Sequence, residues 1–431
     1  MQLHYKPHAE LMRGRWPFLL ALFFAMLPLG AGPQGATEGS AVRQFVLVVL
    51  FLAAAFAVVR FPRRLPLLRA GVPLSFVLLL LYVAVSAIWS DNPWVSFKRV
   101  VQVIGVTVLA AGVLVGGNGQ YRLHRLVPPV LWVGMALALV VSAALPSYAF
   151  SDLGYRAFMA TKNNFGQLAV LCTLMPLTLL ALEPSARRWV WWPLSLLGLA
   201  GLVMSRSATA AVALFAVVLM YGVVVAVRKF DRSWTPVILV LGILVLASGF
   251  AAGIALGFPP IEKVLSLILA PTGRDISLSG RTYLWELMVH EGFRHPWFGA
   301  GYGGFWLGLE GRSGQVAYLV KWGYPGQAHN GYLDLFNELG VFGCVLVFIF
   351  LLQHSRNVRR LIAQDWTLGY FHAALFTLVL VLNLAEATFL RTTHLWWILF
   401  VASVVEVTYL TNRPQAELLR ARSRLTRGVF A

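Results

Sequence analysis

The sequence AHNGYLDLFNELGVFGCVLVFIFLL (residues 328–352) runs from a polar motif directly into a long apolar stretch. A helix needs about 17 to 25 mostly apolar residues to cross a bilayer, because its backbone amides must be hydrogen-bonded within the helix. Residues 335–352 meet this requirement. We therefore predict a membrane-spanning helix that starts just after a polar segment of the chain.

Eleven further segments have the same character. Of the 431 residues, 59% are hydrophobic and only 12% are charged, a balance typical of polytopic membrane proteins. The sequence thus predicts an all-α fold with about 12 transmembrane helices, at residues 16–29, 44–59, 72–89, 100–115, 127–145, 165–182, 189–204, 208–227, 236–258, 335–352, 368–385 and 395–410. The net charge of +18 then indicates basic cytoplasmic loops and anionic lipid rather than nucleic acid.

The distribution of basic residues predicts the orientation. With a cytoplasmic N terminus, 22 of the 35 Lys and Arg residues fall on the inner side, as the positive-inside rule requires, so both termini are expected in the cytoplasm. The first span has an alternative interpretation as a cleaved signal peptide, because Arg13 and Arg15 precede it and small residues follow it. Retaining this span gives an even number of spans.

The predicted organisation has four parts. Residues 1–258 carry spans 1 to 9, residues 259–334 form one large periplasmic loop region, residues 335–411 carry spans 10 to 12, and residues 412–431 form a basic cytoplasmic tail. Most polar motifs lie in the loop region, which predicts that the chemistry takes place at the periplasmic face.

Basic residues on the outer side suggest an anion site, because they are not needed to set the topology. Arg206 lies in a very short turn between two spans, and Arg281 lies in a Ser-Gly-Arg motif. Guanidinium groups bind phosphate oxygens through planar, two-pronged hydrogen bonds. The alternative is that such side chains anchor helix ends at lipid headgroups. Weaker candidates for diphosphate binding are Lys98, Arg99, Arg156 and Lys162.

His329 is the best candidate for proton transfer, because a neutral imidazole is a competent general base near pH 7. Asn330 follows it directly, and an amphipathic segment begins at Tyr332. We therefore expect His329 to lie just before the N terminus of a helix.

The sequence gives no sign of a metal or a cofactor. His290-Glu291 is not a zincin motif, since Arg294 occupies the position where the second histidine belongs. The Gly-rich segment at residues 299–304 lacks the strand-turn-helix context of a dinucleotide site and is expected to allow a tight turn or a close backbone approach. Cys172 and Cys344 lie in apolar spans and are expected to be packing residues.

These features fit the transfer of a group that leaves on a diphosphate. A diphosphate departs as a stable anion, so arginines can neutralise it, while the attacking hydroxyl must lose a proton to a base such as His329. A retaining glycosidase needs two carboxylates close together, and nothing in the sequence points to such a pair. We expect Glu386, at the end of a span, to form a structural ion pair with Arg391.

Several motifs together resemble the O-antigen ligases within the larger ligase and polymerase superfamily of bacterial surface polysaccharides. The motifs, in chain order, are Trp89-Ser90-Asp91-Asn92-Pro93, Lys162-Asn163-Asn164-Phe165-Gly166, Ser205-Arg206-Ser207-Ala208, Ser279-Gly280-Arg281-Thr282, His295-Pro296-Trp297-Phe298-Gly299, Ala328-His329-Asn330-Gly331-Tyr332 and Glu338-Leu339-Gly340.

The resemblance implies transfer of a preassembled glycan from undecaprenyl diphosphate to a hydroxyl of lipid A-core, at the periplasmic side of the inner membrane. It implies a metal-independent, inverting reaction with His329 as the base and with Arg206 and Arg281 as essential arginines. Expected partners are the lipid-linked glycan donor, the lipid A-core acceptor and membrane lipids. Expected substrate-binding residues are Lys98, Arg99, Arg156, Lys162, Asn330 and Tyr332.

Three alternatives remain open from the sequence. An O-antigen polymerase would use a second lipid-linked glycan as the acceptor, and a protein O-oligosaccharyltransferase would use a Ser or Thr side chain. A transmembrane transporter or lipid flippase would fit the composition, but such proteins usually show two related halves and broken helices at mid-membrane.

Overall fold

The computed structural model of the chain describes residues 15–27, 41–119, 121–152, 154–183, 187–229, 281–320 and 324–412. Within these residues the helices are α1 (Trp16–Met26), α2 (Ala41–Val59), α3 (Pro66–Gly71), α4 (Leu74–Val85), α5 (Pro93–Gly116), α6 (Leu123–Ala144), α7 (Pro146–Ala149), α8 (Lys162–Leu182), α9 (Arg188–Ser205), α10 (Ala208–Lys229), α11 (Arg281–Gly292), α12 (Gly311–Val320), α13 (Gly331–Gln364), α14 (Trp366–Leu382) and α15 (Leu395–Thr411).

Eleven of the predicted spans coincide with helices of this fold. The ninth, residues 236–258, lies outside the described residues, as do residues 259–280 of the loop region and the tail from residue 413. In the described part of the chain, four helices (α5, α6, α8 and α13) are long and apolar enough to cross a membrane, or five spans if a bent helix pair is counted. The number of 12 spans therefore stays a prediction.

The bent pair is a feature that the sequence reading missed. The apolar helix ending at Val59 is followed by a short 3-10 turn, Pro62–Arg64, and by α3, and the two helices meet at 82°. Proline breaks a helix because it lacks an N–H and its ring clashes with the preceding turn. Arg64 donates to the carbonyls of Val115 (3.2 Å) and Gly116 (3.0 Å), so the bend also caps the last turn of α5.

Helix α15 lies at the centre of the core. Its side chains from Leu395 to Tyr409 are buried around the whole helix, and it packs against α5, α13 and α14. A helix that is hydrophobic on all sides is stable only when it is enclosed by protein or lipid. Here the protein encloses it, and the surrounding helices carry the lipid-facing apolar residues.

One small β-ladder departs from the predicted all-α fold. In the connection between α6 and α8, strands β1 (Phe150–Ser151) and β2 (Gly154–Tyr155) pair antiparallel, with Phe150 opposite Tyr155. Gly154 has φ +138°, and a Cβ there would lie 2.4 Å from the carbonyl oxygen of Ser205. Glycine thus lets this hairpin pack against the end of α9.

The region predicted as a loop contains structure of its own. Helices α11 and α12 pack around an apolar cluster that includes Leu284, Met288, Phe305 and Trp306, separate from the main core. The polar motifs are therefore held by a folded segment rather than by an extended loop.

Helix α13 has a break at Gly340, where φ is +65° and ψ is −167°. The segment before Gly299 fits into this break: the amide of Val341 donates to the carbonyl of Pro296 (2.8 Å), and that of Phe342 to Trp297 (3.3 Å). A Cβ at residue 340 would lie 2.3 Å from the Trp297 carbonyl oxygen. Glycine is required here by both the backbone conformation and the space.

Candidate active site

The structure confirms that His329 lies just before a helix N terminus. Helix α13 begins at Gly331, and the Asn330 side chain caps it by accepting from the amides of Tyr332 (3.0 Å) and Leu333 (3.2 Å). His329 itself has φ +49°, in the left-handed region that non-glycine residues rarely adopt. Such a conformation persists only where the surroundings fix it.

Hydrogen bonds on both sides of His329 fix this conformation. The amide of Ala328 donates to Asp334 Oδ1 (2.9 Å), and the Ala328 carbonyl accepts from the indole of Trp285 (2.9 Å). On the other side, the amide of Gly331 donates to the carbonyl of Asn383 (2.8 Å). The imidazole is therefore presented from a backbone that is anchored to three separate elements.

The imidazole faces a buried carboxylate, Glu386, in the turn between α14 and α15. The distance from His329 Nδ1 to Glu386 Oε2 is 3.3 Å. The other carboxylate oxygen, Oε1, accepts from Asn163 Nδ2 (2.9 Å) and from Arg281 Nη2 (3.2 Å). The amide nitrogen of Gln327 lies 3.4 Å from Oε2. Glu386 is thus the centre of a cluster contributed by α8, α11, the loop before α13 and the turn after α14.

The environment of Glu386 keeps its carboxyl group ionised. Burial raises its pKa, but the hydrogen bond from His329, the charges of His329 and Arg281 and the hydrogen bond from Asn163 act in the opposite direction, and the net pKa is lowered. The side chain is only 8% exposed, so these partners replace most of the water that a free carboxylate would bind. The cluster therefore holds a carboxylate against an imidazole and a guanidinium.

The expected ion pair between Glu386 and Arg391 is wrong. Arg391 instead pairs with Asp334, at 2.5 Å between Nη2 and Oδ2, while Arg281 pairs with Glu386. The turn after α14 is irregular, and Leu390 has φ +55°, so the chain is not helical between the two residues and they do not share a face. Burial alone would lower the pKa of Arg391. The negative charges of the nearby Asp334 and Glu338 have the larger, opposite effect, so the pKa is raised above its usual value.

Arg206 lies between α9 and α10, as the sequence predicts, and its backbone has φ +51°. Its side chain is exposed, whereas Ser205 and Ser207 on either side are buried. The hydroxyl of Ser207 donates to Asn163 Oδ1 (3.1 Å), and Asn163 donates to Glu386. Two hydrogen bonds therefore connect the Arg206 turn to the carboxylate that faces His329.

Glycines bring this turn close to α8. A Cβ at Gly166 would lie 2.6 Å from Cβ of Ser207, and one at Gly198 would lie 2.6 Å from the amide nitrogen of Thr173. Helices can approach this closely only where no side chain separates their backbones. The Phe165-Gly166 part of the second motif thus places Asn163 beside the Arg206 turn.

Two of the weaker candidates have structural contacts away from His329. Arg99 donates to the carbonyls of Gly303 (2.7 Å) and Trp306 (3.3 Å) and so supports the Gly-rich turn. Arg156 donates to the Tyr148 carbonyl (2.8 Å), and its guanidinium lies 4.2 Å from the centre of the Tyr148 ring. These contacts explain both positions through the fold, and a role of either residue in diphosphate binding stays a prediction.

The other four candidates are divided between the two regions. Lys162 is the first residue of α8 and directly precedes Asn163. Lys98 lies 5.7 Å from the Trp94 ring and lines a separate cavity. Asn330 acts as the cap described above, and the Tyr332 hydroxyl donates to the Leu380 carbonyl (3.0 Å). The structure therefore brings Arg281 and His329 into contact with Glu386, and places Lys98 and Arg99 elsewhere. Arg206 is connected to Glu386 through Ser207 and Asn163, and Lys162 is the sequence neighbour of Asn163.

The remaining motifs meet each other rather than His329. The Trp89 indole donates to the carbonyl of Phe298 (3.2 Å), the amide of Asp91 donates to Ala300 (3.1 Å), and the amide of Ala300 donates to Asn337 (2.9 Å). The first, fifth and seventh motifs thus form one structural unit that supports the break in α13.

Sequence reasoning missed three polar residues of this site: Glu386 as the partner of His329, and Asn163 and Gln327 beside it. Asn163 stands in one of the quoted motifs, and Glu386 was noted as a carboxylate at a span end. The signals were therefore present, but the contacts join residues far apart in the chain. The separation between His329 and Glu386 is 57 residues, and that between Asn163 and Glu386 is 223.

The fold and the site define a class: a polytopic helical membrane protein with a histidine–carboxylate pair and arginines at the helix ends.

Comparison with known proteins gives two similarities. Residues 193–348 match a family model described as O-antigen ligase, and this region contains Arg206, Arg281 and His329. A second similarity, 24% identity over 302 residues, is to the "Exopolysaccharide production protein ExoQ" of Rhizobium meliloti (strain 1021) and covers 66% of this chain and 65% of that protein. Both similarities support membership of the O-antigen ligase/polymerase superfamily.

Proposed function

We propose that the protein is a glycosyltransferase that moves a preassembled glycan from undecaprenyl diphosphate to a hydroxyl of lipid A-core. The observation that carries this proposal is the cluster in which Glu386 contacts both His329 and Arg281. The proposed base contacts one oxygen of this carboxylate, and the proposed phosphate-binding arginine contacts the other. The match to a family model described as O-antigen ligase supports the class of substrate.

His329 acts as the general base. Its Nδ1 faces Glu386 at 3.3 Å, which favours the tautomer with the proton on Nδ1 and leaves Nε2 to accept the proton of the acceptor hydroxyl. The carboxylate then stabilises the imidazolium that forms, as the aspartate does in a Ser-His-Asp triad. Positioned general bases contribute about 10²- to 10⁴-fold to the rate.

The arginines neutralise the departing diphosphate. Arg281 donates one N–H to the Ala385 carbonyl (2.8 Å) and another to Glu386. A guanidinium carries five N–H donors, so three remain for phosphate oxygens. Arg206 projects from the adjoining turn with an exposed side chain. Two arginines at one end of the cluster supply the positive charge for the leaving group.

The step is a single displacement. The acceptor oxygen attacks the anomeric carbon from the face opposite the diphosphate, the bond from that carbon to the diphosphate oxygen breaks with its electron pair, and His329 takes the hydroxyl proton. This scheme uses no metal ion and inverts the anomeric configuration. An NMR determination of the configuration in donor and product tests it, since retention would require a covalent intermediate that the scheme lacks.

We place the reaction at the periplasmic face of the inner membrane, with both termini in the cytoplasm. The distribution of Lys and Arg along the sequence supports this orientation. The lipid tail of the donor would then lie between helices, in contact with the hydrocarbon phase.

A polymerase is the second candidate, and the similarity to a protein of exopolysaccharide production favours it. It would use the same donor and the same base, with a second lipid-linked glycan in place of lipid A-core. The chemistry of the His329 cluster is the same in both cases, so the acceptor alone separates them.

A transfer assay decides between the two. Purified protein is incubated with the undecaprenyl diphosphate-linked glycan and a metal chelator, with and without lipid A-core. A product that forms only when lipid A-core is present supports the ligase. Elongation of the donor without lipid A-core supports the polymerase, and absence of both products contradicts the glycosyltransferase proposal.

A further inference from the structure

A second polar cavity lies beside the His329 cluster and has no part in the mechanism above. Its volume is about 230 Å³, and its polar lining includes Lys98, Gln102, Asp334, Glu338 and Arg391. This is smaller than the roughly 300–1,000 Å³ of sites for drug-sized ligands, which suits a single sugar residue rather than a whole glycan.

The cavity contains a buried oxygen that lacks a hydrogen bond. Glu338 is 7% exposed, and its Oε2 accepts from the amide of Gly303 (3.0 Å). Its Oε1 is buried and has no hydrogen-bond partner within the described part of the chain. A buried carboxyl oxygen without a hydrogen bond is unfavourable, so a donor from a bound molecule would stabilise it.

The charges around this oxygen favour hydroxyl groups over phosphate. Arg391 is paired with Asp334, and Arg99 donates to two carbonyls, so part of the donor capacity of both guanidinium groups is used within the protein. Two carboxyl groups, Asp334 and Glu338, line the wall and would repel a second diphosphate. A sugar hydroxyl both donates and accepts, so it can satisfy Glu338 Oε1 and accept from the ammonium of Lys98.

The cavity shares a wall with the proposed base. Asp334 lines it and at the same time accepts from the amide of Ala328, the residue before His329. Leu390 and Arg391, which also line it, follow Glu386 in the same turn. A molecule bound here therefore lies next to the segments that hold both members of the histidine–carboxylate pair.

We propose that this cavity binds a sugar residue of the acceptor and orients it toward His329. The inference rests on the proposed function, because the acceptor is a saccharide only if the protein is a glycosyltransferase. It assigns Glu338 and Lys98 to acceptor binding and moves Lys98 away from the diphosphate, for which its sequence position had suggested it.

The test is an equilibrium binding measurement on the full-length protein in lipid nanodiscs. The probes are the fluorescently labelled oligosaccharide of lipid A-core and one labelled repeat unit released from the donor glycan.

Two variants change the proposed contacts. Glu338→Gln keeps the oxygen that accepts from Gly303 and replaces the unpaired carboxylate oxygen with an amide NH2 donor, whereas Lys98→Met removes the ammonium group. Each should weaken the binding of one probe at least ~10-fold. The exposed control Glu310→Gln should bind as the wild type does.

Equal binding by the wild type and both variants, or no binding of either probe to the wild type, would overturn the inference. Thermal melting and gel filtration show whether Glu338→Gln is folded. If it is not, the binding measured with Lys98→Met alone tests the inference. Binding that depends on Glu338 and Lys98 in a protein that transfers no glycan would instead contradict the proposed function and retain the saccharide site.

Discussion

Two residues of the candidate active site, His329 and Arg206, are held in left-handed backbone conformations, with φ of +49° and +51°. Such conformations cost about 1–3 kcal/mol for non-glycine residues. Asn330 and the bonds at Ala328 and Gly331 offset the cost at His329. The structure therefore fixes the backbone at His329 before substrate binds, and preorganised groups of this kind are what transition-state stabilisation requires.

Replacing Arg281 by Lys should reduce the turnover number at least ~10-fold, because a compact ammonium cannot hold Glu386, the Ala385 carbonyl and a phosphate together. Steady-state transfer rates measure this. Arg294→Lys is the matched control, since that arginine is half exposed and, among the described residues, forms an ion pair with Glu291 alone. Equal rates for Arg281→Lys and the wild type would show that this arginine merely anchors a helix.

Glu386 should make stability depend on pH at the acidic end. Its pKa is lowered in the folded protein, so its contribution is fully present above the unfolded value of 4.5 and is lost as pH falls through the lower folded value. The melting temperature of Glu386→Gln should therefore lie several degrees below that of the wild type at pH 7. The difference should shrink at pH values below 4.5.

Thermal unfolding in detergent across this pH range measures the difference. Glu310→Gln changes an exposed carboxylate in the same region and should follow the wild type at every pH. A gap between Glu386→Gln and the wild type that is constant with pH would mean that the charge of Glu386 does not contribute.

The sequence predicts the candidate catalytic side chains, but it does not predict which residues those side chains contact. His329, Arg206 and Arg281 follow from residue type and local pattern. The pairing of Glu386 does not, because the residue nearest in sequence, Arg391, is an equally good partner on charge alone. Only the course of the turn after α14 shows that Arg391 binds Asp334 instead.

At the scale of elements, the break in α13 organises one end of the fold. Residues 296–299 insert at Gly340, and Trp89 and Asp91 bind the same segment. Three motifs that are distant in sequence are therefore one structural unit. Its contacts extend along the first turns of α13 toward the His329 cluster. A substitution in this unit is therefore expected to disturb the geometry of that cluster.

Gly340→Ala should destabilise the protein by about 1–3 kcal/mol or more, because the backbone conformation is nearly exclusive to glycine and the new Cβ would lie 2.3 Å from the Trp297 carbonyl. Thermal melting in detergent measures the loss. Gly222→Ala is the control: a Cβ there meets nothing within 4 Å, so its melting temperature should equal or exceed that of the wild type. Equal melting temperatures for the two variants would contradict the account of the break.

The sequence predicts the helices well and their irregularities poorly. Apolar runs place eleven helices near their observed positions, because burial of apolar surface decides where a helix can lie in a membrane protein. The break at Gly340 lies inside the predicted span at residues 335–352, and the β1–β2 ladder has only two residues per strand. Neither feature changes the hydropathy pattern, so a prediction based on hydropathy does not detect them.

At the scale of the whole molecule, the polar clusters are gathered at one end of the helices. The His329 cluster draws on α8, α11, the segment before α13 and the turn after α14. The second cavity takes residues from α2, α5, α13 and the turn that carries Arg391. The proposed reaction between two membrane-bound substrates needs both of them at one face of the bilayer, and polar clusters at one end of the helices are consistent with it.

The proposed orientation can be tested with single cysteines, because native Cys172 is buried and Cys344 lies half-buried in α13. His290→Cys in α11 should react with a membrane-impermeant maleimide in intact spheroplasts, and Arg359→Cys near the end of α13 only after lysis. Both positions are exposed in the fold. The opposite labelling pattern would place the candidate active site in the cytoplasm.

The most direct test of the central claim is the rate of glycan transfer by purified His329→Ala. With the undecaprenyl diphosphate-linked glycan and lipid A-core, the variant should be at least ~100-fold slower than the wild type, while gel filtration and a cooperative thermal transition show that it is folded. His290→Ala, which removes an exposed histidine of α11, should retain the wild-type rate. Transfer by His329→Ala at the wild-type rate would contradict the assignment of His329 as the base.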